Sequence, residues 1–234
     1  MKNRIECNEC NNEKCFIRQG CFGEWLNKIS SNKNQLWYKK GSYIFREGEP
    51  IYGIYFIQQG GVKVVTKSLH GREQIVRLAK EGQILGHRGV GRTYYYFNSV
   101  ALMDSLVCFV ENELFYEACM NCPEFAVKLI FFYASELRRA ELRVKYQAQM
   151  NIREKVAMAF TYSYELFGVN PDTRMLNISL SRQDIADIAG TTAEQVTRQL
   201  SDFESEKLIA RNKREIILLN IKGLEDIVSD YKIE

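Results

Sequence analysis

Two sets of residues in this 234-residue chain have types and spacings that could do chemistry. The first is sulfur. Cys7, Cys10, Cys15 and Cys21 follow one another as C-x2-C-x4-C-x5-C, and Cys108 stands apart in ALMDSLVCFV. Thiolates so closely spaced can converge on one soft ion or cluster, and four of them satisfy either tetrahedral zinc or a [4Fe–4S] group. A thiol redox switch, or cysteines without any cofactor, fits the same spacing. The total of seven is odd, and in a reducing compartment such cysteines read as free thiols or ligands rather than bridges. Cys119 and Cys122 read as ordinary thiols.

The second set lies along one helix face. Ser181-Arg182-Gln183-Asp184 is a capping box that opens SRQDIADIAG, and Gly190 stops that helix. Thr192 then caps a second helix, with Gln195 three residues on. Val196 and Leu200 face inward beneath Ile185, Ile188 and Ala189, and the small Ala186 and Ala189 permit the steep crossing of a helix-turn-helix. Glu194, Thr197, Arg198 and Ser201 then share the outward face of the second helix. Arg198 can fork onto guanine O6 and N7, and Glu194 can accept from cytosine N4. Arg182 and Thr192, at the two helix starts, join the DNA-binding set, and Lys207, Arg211, Lys213 and Arg214 in the following hairpin suit phosphates. An isolated Glu-to-Arg pair four residues apart is usually a solvated ion pair. The ordered series of cap, glycine turn, cap and basic hairpin favours double-stranded DNA.

These residues need elements to position them. Between Trp37 and Val110, β-branched and aromatic runs alternate with Gly41, Gly48, Gly60, Gly61, Gly71, Gly82 and Gly86, which predicts a β barrel or roll. Pro123 to Asn151 holds no glycine and predicts one long helix. Ala126, Ile130, Tyr133, Leu137, Ala140 and Val144 recur at spacings of four and three, an a/d seam, while Leu129 and Phe132 point elsewhere. Arg138, Arg139, Glu141, Arg143 and Lys145 flank the later seam, which fits homodimer pairing. A helix over Ile152–Phe167 should end at Gly168, with a turn at Asn170-Pro171. A short strand is expected over Met175–Leu180, a strand pair in LIARNKREIILLN and a last helix over Leu224–Tyr231. The fold class is therefore α+β: a cysteine-containing amino-terminal segment and β-roll sensor domain over residues 1–122, a dimerisation helix over 123–150 and a winged helix-turn-helix over 151–234.

Composition excludes several classes. With 46% hydrophobic and 26% charged residues, 3 Pro and 15 Gly, the chain is an ordinary globular one. No apolar run approaches the ~20 residues of a membrane span, and the amino terminus lacks a signal sequence, so a cytoplasmic protein without a membrane partner is expected. Residues 151–234 carry 11 Lys+Arg against 14 Asp+Glu, so bulk charge does not nominate DNA; the local pattern does. Only His70 and His87 occur, with no nucleophile signature and no paired carboxylates, and an enzyme is not expected.

SRQDIADIAGTTAEQVTRQLSDFESEKLI resembles the helix-turn-helix of the CRP/FNR family of bacterial transcription regulators, whose order of roll, long helix and winged domain is the one read above. The family's E-x-x-[ST]-R segment is matched by Glu194, Thr197 and Arg198, and Ala193 replaces the arginine of the cyclic-AMP receptor proteins. The implied half-site is closer to TTGA than to TGTGA, in a palindrome read by a homodimer, and RNA polymerase is an implied partner. In cyclic-nucleotide-binding relatives a G-E-x turn and an R-[ST]-A segment hold the ligand. Here Gly86-His87-Arg88 has no carboxylate and Tyr94 to Ser99 no arginine, so cyclic AMP is not expected. Gly86, His87, Arg88, Arg92, Tyr95 and Tyr96 remain candidates for another effector, with solvated loop arginines and a structural His87 as the plain alternative. The cysteines resemble those of oxygen-sensing FNR proteins, in which a [4Fe–4S] cluster is held by four of them. By that resemblance Cys7, Cys10, Cys15 and Cys108 are the ligands. One residue fewer between the second and third, and the extra Cys21, depart from the pattern and leave Cys21 as an alternative.

Overall fold

A computed structural model describes residues 4–67, 71–212 and 215–231. Lys213, Arg214 and His70, singled out above, lie outside the described residues. The chain divides into two compact units, one formed by residues 1–66 and 79–135, the other by 67–78 and 136–234.

The first unit opens with a 3-10 turn over Cys7–Glu9 and a helix that the sequence did not announce, α1 (Gly23–Asn32), which buries Leu26, Ile29 and Ser30. Eight strands follow along the chain, with Lys67 of β4 and residues 73–78 of β5 belonging to the second unit: β1 (Asn34–Tyr38), β2 (Tyr43–Phe45), β3 (Gly53–Gln59), β4 (Gly61–Lys67), β5 (Glu73–Lys80), β6 (Ile84–Leu85), β7 (Asn98–Ala101) and β8 (Ser105–Glu111). They form two antiparallel-paired sheets ordered β1-β8-β3-β6 and β2-β7-β4-β5. The roll interior is closed by aromatic rings: Phe45 stacks on Tyr95 at 4.1 Å between centroids, and Tyr55 meets Phe109 at 4.9 Å. Gly53 has to be glycine, since a Cβ there would lie 2.2 Å from the Val110 carbonyl oxygen.

After β8 come α2 (Asn112–Asn121), also unannounced, and the long α3 (Pro123–Gln149). Phe125 and Leu129 are buried in the core of the first unit, with Phe132 and Tyr133 packed against it. That core also holds Cys7, Cys21, Cys108 and Cys122.

In the second unit α4 (Ile152–Phe167) runs between the predicted residues. Asn151 and Glu154 close a capping box at its start, and Gly168 ends it at φ 69°. The helix-turn-helix is α5 (Arg182–Ala189) followed by α6 (Ala193–Ser205). Ser181 Oγ accepts from the Asp184 amide at 3.0 Å while the Asp184 carboxylate accepts from the Ser181 amide at 2.9 Å. Gly190 takes the left-handed conformation between the helices, φ 67° and ψ 40°. Ser181→Ala removes that cap and should cost about 1 kcal/mol of stability, read as a lowered denaturant midpoint with unchanged slope.

Met175–Leu180 is not a strand. Leu176, Ile178 and Leu180 alternate into the core, but among the described residues the segment makes only the isolated bridges Val169–Leu176 and Met175–Ile217, so no ladder forms along it. The wing is β9 (Ile209–Asn212) paired with β10 (Glu215–Leu218). The last helix, α7 (Ile221–Ile227), begins three residues earlier than expected, capped by Asn220, and Ser229–Tyr231 is a 3-10 turn. Among the described residues no helix is long and apolar enough to cross a membrane.

Candidate functional site

The sulfur atoms sort into two neighbourhoods. Cys108 lies on β8, the strand between β1 and β3, opposite Gln35 on one side and Phe56 on the other. The amino-terminal segment is tied over this sheet: the Asn12 side chain donates to the carbonyls of Ile57 and Gln58 at 3.2 and 2.9 Å, and the Phe16 amide donates to Gly82 at 3.1 Å. Cys7 is anchored by α1, whose Ser30 hydroxyl accepts from the Cys7 amide at 2.7 Å. Burial pushes the Cys15 thiol up, and negative charge on Cys7 or Cys10 would push it further. Burial likewise pushes Cys108 up to about 11, opposed by the Lys33 charge and by a hydrogen bond from Gln35, with Cys15 and Cys7 adding to the rise. Cys15 therefore lies within electrostatic reach of Cys7 and Cys10, and Cys108 within reach of Cys7 and Cys15.

Cys21 belongs to another neighbourhood. Its thiol is pushed far up by burial and then by Cys122, its hydrogen-bond neighbour, with Cys119 next and Cys15 last. Gly20 brings that segment against α3, since a Cβ on it would meet Phe125 Cα at 2.9 Å. Cys119 is itself raised to about 11 by burial and by Cys122.

Sequence reasoning missed Lys33. It caps the carboxyl end of α1, is only 2% exposed, and donates from Nζ to Cys7 Sγ at 3.0 Å. Nothing in LNKISSNKNQLWY marks one lysine as buried, because burial here depends on how α1 and β1 fold around a remote strand. As a donor set, four thiols with a buried ammonium suit an anionic, thiophilic centre. Among the described residues no three of these sulfurs stand together in a metal-ligating arrangement.

On α6, Glu194, Arg198 and Ser201 are exposed and Thr197 is half-buried. Arg198 Nη2 donates to Glu194 Oε1 at 2.5 Å, with both side chains more than 70% exposed. An exposed pair of this kind is worth only a few tenths of a kcal/mol, so it can open toward a base edge. Thr197 Oγ1 donates to the Ala193 carbonyl at 2.8 Å and Ser201 Oγ to the Thr197 carbonyl at 3.2 Å. Thr192 Oγ1 accepts from the Gln195 amide at 3.3 Å, which makes it a cap first. Arg182 and Lys207 are exposed. Arg211 is held by the Glu204 carboxylate, which also accepts from the Arg211 amide at 3.1 Å, so its charge is locally balanced.

Gly86 is in the left-handed region at φ 78° and packs near the rings of Tyr95 and Tyr55. His87 is buried, edge-on to Phe132 at 4.8 Å between centroids. Tyr95 is buried too, its hydroxyl donating to the Gly53 carbonyl at 3.1 Å. Arg88 and Arg92 are exposed, each lying over a ring, Phe97 at 5.3 Å and Tyr96 at 5.7 Å. The six candidates thus divide between a packed interior and a solvated rim.

Of the a/d seam on α3, Ile130, Leu137, Ala140 and Val144 are exposed, Ile130, Leu137 and Val144 by more than 60%. Tyr133 turns inward instead, and its hydroxyl donates to the His87 carbonyl at 2.5 Å. Val127 and Phe131 join the exposed stripe, which spacing alone had not separated from the inward face.

A cyclic nucleotide-binding domain model matches residues 35–122, and a Crp-like helix-turn-helix domain model matches residues 154–227. The global nitrogen regulator of Synechococcus elongatus is 27% identical, covering 78% of this chain and 84% of its own. The fumarate and nitrate reduction regulatory protein of Vibrio cholerae is 23% identical over 97% of this chain and 92% of its own. Among solved structures, FixK2 from Bradyrhizobium japonicum superposes with a TM-score of 0.74 at 26% identity, covering 83% of this chain and 96% of that one.

Proposed function

The chain belongs to the CRP/FNR family of DNA-binding transcription regulators, and from that premise we propose that it senses oxygen or redox state through a centre held by Cys7, Cys10, Cys15 and Cys108. The supporting observation is the contact of the buried Lys33 ammonium with Cys7, together with the influence of Cys7 on both Cys15 and Cys108, while Cys21 is influenced chiefly by Cys122 and least by Cys15. A [4Fe–4S] group would supply oxygen-sensitive redox chemistry there; zinc is the alternative occupant. Tyr95 and Tyr55 fill the interior beside Gly86, which argues against a cyclic nucleotide there.

The chain's own residues then do the following. The segment carrying Cys7, Cys10 and Cys15 rests on the same core as Phe125, Leu129, Phe132 and Tyr133, so a rearrangement of the thiols is felt by the first half of α3. The exposed stripe from Val127 to Val144 pairs with a second copy, and that pairing sets the spacing of two α6 helices against a palindrome. On each half-site Arg198 releases Glu194 and reads guanine, Glu194 takes a cytosine amine, and Arg182 and Lys207 meet phosphates.

Selection from a random DNA pool, together with iron, sulfide and zinc analysis of protein purified without oxygen, tests the proposal. A palindrome should emerge, and bound metal should fall sharply in Cys108→Ser but persist in Cys21→Ser. Because burial holds Cys15 and Cys108 protonated, metal uptake must expel protons. Apparent zinc affinity of the reduced protein should therefore climb steadily from about pH 6 to about pH 8.5. An affinity that is flat over that interval would remove sulfur from the ligand set.

A further inference from the structure

Lys33 is a charge in the core of the first unit. Taking an ammonium out of water costs several kcal/mol unless an anion meets it. The buried Arg77 of the second unit has such an anion, the Glu136 carboxylate at 3.3 Å. Among the described residues no carboxylate pairs with Lys33; its Nζ meets a sulfur, Cys7 Sγ, at 3.0 Å, and its field reaches Cys108 on β8. The backbone holds it in place, since the Lys33 amide closes α1 on the Ile29 carbonyl at 2.9 Å. One turn earlier Ser30 accepts from the Cys7 amide, so the end of α1 presents the cation and the thiol to each other. A cation is also favoured at that end of a helix by the peptide dipoles.

We propose that Lys33 is the fixed countercharge of the thiol centre, a positioning residue that offsets the negative charge gathered on Cys7 and Cys108 when the four sulfurs bind a metal. The inference rests on reading Cys7, Cys10, Cys15 and Cys108 as the ligands. Four thiolates around a divalent metal leave a net negative charge inside the protein, after their protons have passed to solvent. One ammonium within hydrogen-bond distance of a ligand sulfur lowers the cost of burying that charge.

The test is an anaerobic titration of the reduced full chain with cobalt(II), followed at the thiolate-to-metal absorption band, for the wild type, Lys33→Met and Lys33→Arg. Thermal melts are recorded with and without the metal. Lys33→Met should bind cobalt roughly ten- to a hundredfold more weakly, the range for loss of an outer-shell partner, while Lys33→Arg keeps most of the affinity. Without metal, Lys33→Met should melt no lower than the wild type, because a methionine of similar volume removes an uncompensated buried charge. If Lys33→Met binds cobalt as tightly as the wild type, the countercharge is overturned and the cysteine centre stands. A Lys33→Met chain that melts far lower without metal, or fails to fold, assigns the lysine to structure alone and also overturns it. A wild type that binds no cobalt through sulfur removes the centre, and the countercharge falls with it.

Discussion

Ile130→Glu combined with Leu137→Glu is expected to leave a 27.2 kDa monomer with operator affinity lowered by roughly two to four orders of magnitude. Both side chains are more than 60% exposed on α3, as are Phe131 and Val144, and a contiguous apolar stripe on a charged helix is poorly solvated. In a two-fold pair each residue is buried twice, at roughly 1.5 to 3 kcal/mol per large side chain. Four carboxylates facing one another across that seam would remove this gain and add repulsion. The loss in DNA binding follows from avidity. A dimer meets its second half-site at high effective concentration, whereas a monomer has one α6 and no register. Light scattering after size exclusion gives the mass, and titration of a palindromic duplex gives the affinity. A wild type that is already monomeric on DNA would sink the pairing.

Arg198→Ala should cost about 1 to 3 kcal/mol per half-site and flatten the preference at the base pair it reads. The argument is geometric. The guanidinium stands exposed on the outward face of α6, paired among the described residues with Glu194 one turn away, and such a pair contributes little to folding. Stability should therefore stay within a few tenths of a kcal/mol of the wild type while specific binding falls, and binding to random DNA should change far less. If affinity instead dropped equally on every sequence and the salt slope fell by about one, Arg198 would be a phosphate contact. Glu194 would then be the sole reader on that turn. Net charge offers no shortcut to this result, since residues 151–234 hold more carboxylates than cations. The exposed placement of Arg182, Arg198 and Lys207 is what makes an attractive face.

The helix-turn-helix was legible because every signal that builds it is local. Ser181 and Asp184, and Thr192 and Gln195, are three residues apart, and a capping bond closes across that distance whatever the rest of the chain does. Gly190 and Gly168 end helices through their own φ freedom. α1 and α2 were not legible, since each is a short helix whose stability comes from packing on the roll rather than from periodicity. Met175–Leu180 alternates like a strand but lacks a partner along its length, and pairing, not alternation, makes a strand.

The amino-acid sequence alone determined the family, the order of its modules and the face of α6 that is presented outward, because these follow from caps, turns and periods a few residues long. Tertiary structure alone decided which thiols are neighbours, that Lys33 is buried beside Cys7, and that Tyr133 turns inward to His87. Those relations join residues 26 to 101 positions apart, through the register of β8 between β1 and β3 and the packing of α1 and α3. No local rule reaches that far. Side-chain charge and sulfur chemistry depend on burial, and burial is a property of the assembled core.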